Sequence, residues 1–171
     1  MAFKAKHPRN IPAAYYKPIG QLIVRWGFTE LYLQSIVWHI WRMKDPKVAR
    51  LLTWDLNAAT KVELFKYLSP KWVTDANHQA ELMAIAKEAD RFRNKRNRLA
   101  HGLWGYKPGE PNRVRLLHIH KQSRVLPKSE LVSVQDVRQW AKELNALNIR
   151  IIEHRISNGY IHHQGHDRAE A

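Results

Sequence analysis

The sequence predicts a mainly α-helical bundle that carries a small β-hairpin just before its last long helix. Three observations lead there. Apolar residues recur at the helical period over several long stretches. Aspartate, serine, glycine and proline fall at the ends of those stretches, where helices start and stop. One stretch alone, around "RVRLLHIH", combines strand-favouring residues with flanking glycine and proline.

Residues 1–17 are basic and interrupted by Pro8 and Pro12, so they read as an extended arm; residues 4–17, with Tyr15 and Tyr16, either follow an RNA backbone or form an unremarkable flexible terminus. Pro18 suits the first turn of a helix. The helix that follows places Leu22, Ile23, Trp26, Leu33, Val37, Ile40 and Trp41 on one broad apolar stripe, which makes it the central element. Its tryptophans read as core rather than as a base-stacking platform.

Asp45 followed by Pro46 marks the start of a short helix reaching Leu52. "NAATKVELFKYL" reads as a third helix, stopped before Ser69 and Pro70. "HQAELMAIAKEADRFRNKRNRLAHG" is a long fourth helix with Gly102 as its stop. The hairpin is expected at about 103–126. Ser133 and Asp136 then form a capping box for a last helix through Val134, Val137, Ala141, Leu144, Leu147, Ile151 and Ile152. One domain therefore spans 18–156, and 157–171 reads as a flexible tail.

The chain has 171 residues, enough for a single core, and 44% of them are hydrophobic. Lysine and arginine number 29 against 15 acids, a net charge of +14. That excess favours a polyanionic partner, nucleic acid first and an anionic membrane surface as the plainer alternative. Cysteine is absent, which excludes disulfides, thiolate zinc sites and thiol catalysis. No stretch has the features of a signal peptide or a membrane span, so a cytoplasmic protein with no membrane partner is expected.

Candidate chemistry concentrates late in the fourth helix. At about 100° per residue, Leu82, Ile85, Ala86, Ala89, Phe92 and Leu99 share one arc. Arg93 and Arg96 fall inside it, whereas Arg91, Lys95 and Arg98 lie outside and read as a solvated face. A guanidinium beside an apolar layer needs a partner or an interface. Glu30, in the middle of the first helix's stripe, is the expected structural partner. Asn94, Asn97 and His101 line the border of the arc, with Asn97 and His101 one turn apart. Around the axis Arg96 lies about 140° from His101. Two copies of the helix packed face to face would bring the groups together. Histidine serves acid–base chemistry at a ribose hydroxyl, and arginine binds phosphate through two parallel donors.

The stretch "RNRLAHG", late in a long helix, resembles the Arg-x4-6-His signature of the HEPN superfamily. The resemblance implies a helical bundle that dimerises with two motifs facing each other, acting as a metal-independent endoribonuclease through 2′-hydroxyl attack. It further implies a toxin or antiphage role, with an antitoxin or nucleotidyltransferase as a partner. By position, Arg96 would hold the phosphate, His101 would act as acid/base and Asn97 would support both. Arg93 and Asn94 would contact substrate. No cofactor or metal is implied. In one branch the motif histidine is followed by x-Tyr. Gly102 and Leu103 stand here instead, which argues against that branch. Some HEPN-like members are non-catalytic, so the alternative is a basic helical module that binds nucleic acid or a partner protein.

The remaining histidines point elsewhere. His118 and His120 alternate on a predicted strand, and His162, His163 and His166 sit in the tail, without acidic or thiol partners for a metal. "WGYKPGEPN" contains glycines but lacks the lysine pattern of a phosphate-binding loop and does not lead into a helix.

Overall fold

A computed structural model describes residues 11–106, 113–118 and 128–160. Five helices and three strands follow in the order α1 (Ala13–Ile40), α2 (Pro46–Thr53), α3 (Ala58–Trp72), α4 (Ala76–His101), β1 (Leu103–Tyr106), β2 (Arg113–His118), β3 (Lys128–Ser133) and α5 (Val134–Ser157). The expected mainly helical character holds, and β1 and β2 fall where a hairpin was expected.

Helix α1 is the central element and packs on α3, α4 and α5. Its buried line runs through Leu22, Trp26, Leu33, Val37 and Ile40. Ile23 and Trp41, expected on the same stripe, are exposed instead, and so are Val24, Phe28 and Leu31. In the first half of α1 the buried arc is narrower than the hydrophobic composition suggested, whereas residues 33–37 are buried on every side.

The helix also begins earlier than Pro18. Residues 13–17 are helical, and Pro18 lies inside α1, where its missing N–H costs one bond near the helix end. Tertiary contact holds this turn in place. Tyr15 is buried, its hydroxyl donates to the Val132 carbonyl at 2.9 Å, and its ring meets Trp104 edge-on at 5.8 Å. Tyr15 is therefore core, and the extended arm does not reach residue 17; residues 1–10 lie outside the described residues.

Two further boundaries differ. Helix α3 continues through Pro70 to Trp72, because the Val73 N–H still closes the last turn on the Ser69 carbonyl. The sheet holds three antiparallel strands in the order β1-β2-β3. The hairpin expectation missed β3, whose "KSELVS" has adjacent Leu131 and Val132 among polar residues and no strand alternation to stand out. Val114 pairs with Val132 across β2 and β3, and both are buried with Leu116 against the bundle. His120, His162, His163 and His166 lie outside the described residues.

Local signals were accurate where they were strong. The Asp45 carboxylate caps α2. Ser133 and Asp136 form the reciprocal capping box of α5. In α4 the buried residues are Leu82, Ile85, Ala86, Ala89, Phe92 and Leu99, the predicted arc in full. Among the described residues no helix is long and apolar enough to cross a membrane.

Candidate functional site at the foot of α4

Helix α3 has 15 residues and α4 has 26, and three residues join them. As an antiparallel pair they leave about 16 Å of α4 running past the start of α3. Arg93, Arg96, Asn97 and His101 lie on this overhanging portion. The helix ends where Gly102 turns the chain into β1.

Gly102 has an extended backbone, φ −74° and ψ 154°, rather than the left-handed geometry expected of a glycine stop. Its lack of a side chain matters for another reason. A Cβ there would overlap the Arg98 carbonyl and the Leu116 side chain. The Gly102 N–H bonds the Arg98 carbonyl at 2.8 Å, and the Trp104 indole bonds the Leu99 carbonyl at 3.2 Å, so β1 itself satisfies the end of α4.

The charges divide differently from the wheel. The sequence assigns Arg91, Lys95 and Arg98 to a solvated face, yet that face is the seam against α5 and β3. Arg98 donates to Glu130 on β3 at 2.8 Å. Arg91 and Lys95 lie 3.4 and 3.9 Å from the Glu143 carboxylate on α5. The Lys95 ammonium also sits over the Trp140 ring at 4.5 Å, and burial pushes its pKa below the usual lysine range. Arg93 pairs with Asp90 at 2.8 Å, one turn back on its own helix.

Arg96 is the exception. Its Nη1 donates to the Asn97 side-chain oxygen at 2.9 Å, and its Nε is buried without a partner. No carboxylate pairs with it among the described residues. Glu30, expected to pair with Arg93 or Arg96, instead accepts from the Trp26 indole at 2.7 Å. That bond lies within α1, which explains how a half-buried carboxylate is satisfied without an arginine.

Asn94 is exposed, and its carbonyl receives a long bond from Arg98 Nε at 3.4 Å. His101 is exposed in the last turn. The structure thus joins Arg96 to Asn97 and places His101 on the same overhang. No hydrogen bond links His101 to Arg96 within the chain.

A second polar cluster, at the opposite end of α4, escaped the sequence reading. His78 and His154 lie against each other at a tilt, with centroids 4.7 Å apart, and Tyr160 lies against both and against His39. Beside them, Arg150 binds Glu81 through two bonds and Glu88 through a third. These residues come from α1, α4, α5 and the segment after α5, so no spacing in the chain could reveal them. Among the described residues no group of histidine and acidic side chains is disposed to hold a metal ion.

No protein-family model matches this chain, and comparisons with curated proteins and with solved structures find no match.

Proposed function

We propose that the chain is a metal-independent endoribonuclease of the HEPN type, acting as a homodimer with the overhanging ends of α4 facing each other. The observation that carries this reading is the selectivity of the charges. Arg91, Arg93, Lys95 and Arg98 each lie beside a carboxylate, and Arg96 has none among the described residues. A guanidinium braced by Asn97 and left uncommitted is suited to a phosphate, which it can bind through parallel charge-assisted bonds.

The chemistry follows from the residue types. His101, as base, takes the proton of a ribose 2′-hydroxyl, and the 2′-oxygen attacks the adjacent phosphorus. The bond from phosphorus to the 5′-oxygen breaks, and that oxygen collects a proton from an imidazolium. Arg96 stabilises the charge gathered on the phosphoryl oxygens. The products are a 2′,3′-cyclic phosphate and a 5′-hydroxyl. The excess of basic residues supplies sequence-independent attraction to RNA. A toxin or antiphage role belongs to the same reading.

A nuclease assay on wild type, His101→Ala and Arg96→Ala, with EDTA present, tests this. Each substitution should lower cleavage about 100-fold or more while the fold persists. Cleavage that survives both substitutions removes the enzyme reading. A wild type that binds several RNAs and cuts none is instead a basic binding module.

A further inference from the structure

Helix α2 is only lightly attached to the bundle. Of its eight residues, only Ala49 and Thr53 are buried. Thr53 accepts from the Trp38 indole at 2.9 Å and donates to the Ala49 carbonyl at 2.8 Å. The opposite side faces outward. Around the axis, Leu51, Val48 and Leu52 fall within an arc of about 100°, with Arg50, Trp54 and Lys47 beside it.

Large apolar side chains are bare here. Leu51 is 79% exposed, Trp54 61%, Leu52 56% and Val48 47%. Trp41, also exposed, stands at the other end of the segment. Exposed cations surround them: Arg42, Lys44, Lys47 and Arg50, the last with its guanidinium 4.4 Å from the centre of the Trp54 ring. The segment holds two acids against these four cations: Asp45, whose carboxylate is occupied in capping α2, and Asp55, exposed just after Trp54.

The backbone leading into α2 gives an independent indication. Arg42 has φ 54°, the one non-glycine residue with positive φ among those described. Its N–H bonds the His39 carbonyl and the Met43 N–H bonds the Trp38 carbonyl, the paired closure that glycine normally completes. The chain keeps a cation at a position where glycine would be unstrained.

We infer that α2 and the turn before it dock on an anionic lipid surface. Leu51, Val48 and Leu52 enter the boundary of the acyl chains, the two tryptophans sit at headgroup level, and the four cations meet lipid phosphates. Eight residues are far too few to span a bilayer, so the helix lies in the interface plane. RNA would satisfy the cations but leave the aliphatic side chains unused, since they neither stack on bases nor bind phosphate. A second copy would set like charges against each other. This docking is independent of the ribonuclease reading.

Vesicle flotation tests it, using the full chain with phosphatidylcholine vesicles, with and without about 30% phosphatidylserine. Binding is expected to the anionic vesicles alone. The double substitution Leu51→Ser, Leu52→Ser removes exposed groups only and keeps every charge. It should weaken binding about tenfold or more. Arg42→Gly should weaken it roughly fivefold without loss of fold. Equal binding to both vesicle types, or no binding to either, overturns the proposal. So does full retention by the double serine variant, which would show diffuse attraction from net charge. A double serine variant that loses RNA affinity in parallel would assign the patch to RNA.

Discussion

The hydroxyl of Tyr160 lies 2.6 Å from Nε2 of His78, tying the segment after α5 to the first turn of α4. Tyr160 is buried. Residues 157–160, read from the sequence as the start of a flexible tail, are therefore part of the folded domain.

Stability should depend on pH at both ends of the scale because of this cluster. Burial holds the imidazoles of His78 and His154 below the ordinary value of 6.5. The unfolded chain therefore takes up protons first as pH falls, and stability declines below about pH 6.5. Burial raises the Tyr160 hydroxyl from 10.0 to about 12, so the unfolded chain loses that proton first and stability declines again between those values. Denaturant midpoints measured across pH should show both limbs. Tyr160→Phe should flatten the alkaline limb and cost about 1 kcal/mol at neutral pH. An unchanged alkaline limb in that variant would place the effect elsewhere.

Arg42→Gly should stabilise the fold by about 1 kcal/mol, because the left-handed backbone that ends α1 burdens any residue with a Cβ. Thermal or urea unfolding measures the gain. A loss of stability would mean that the arginine side chain holds the turn.

Gly102→Ala should destabilise by roughly 1–3 kcal/mol, since the added methyl meets the Arg98 carbonyl and Leu116. The backbone there is ordinary for any residue, so the penalty reflects crowding alone. Gly102→Ala with the smaller Leu116→Ala beside it should recover part of that loss in a double-mutant cycle. Simple additivity would contradict the crowding.

Asn97→Ala should reduce RNA cleavage by roughly tenfold, as Arg96 loses the bond that fixes its fork. Arg96→Lys should not rescue Arg96→Ala, because an ammonium is a point charge without the planar, parallel donors that grip two phosphoryl oxygens while Asn97 holds the fork. Turnover measured against RNA concentration separates these effects from weaker binding.

Mixtures test the two-fold arrangement directly. Arg96→Ala and His101→Ala chains, each inactive, should recover measurable cleavage when mixed, because a hybrid dimer carries one intact arginine and one intact histidine. Inactivity at every ratio, with hybrid dimers shown to form, would remove that arrangement.

What the chain alone determined is its local order. Apolar periodicity selected the whole buried arc of α4, and the short polar caps Asp45 and Ser133 started α2 and α5 where expected. These signals depend on neighbours within about one helical turn, so they survive in one dimension. The neighbouring pair Arg96 and Asn97, hydrogen-bonded in the structure, was legible for the same reason.

Tertiary structure decided the rest. It turned the apparently solvated Lys95 and Arg98 into contacts with α5 and β3 and, among the described residues, left Arg96 without a carboxylate. It carried α1 back past Pro18 by burying Tyr15, and it assembled His39, His78, His154 and Tyr160 from distant segments. The physical reason is common to all of these. A charge or a ring is committed by whichever surface packs against it, and that surface comes from residues far away along the chain.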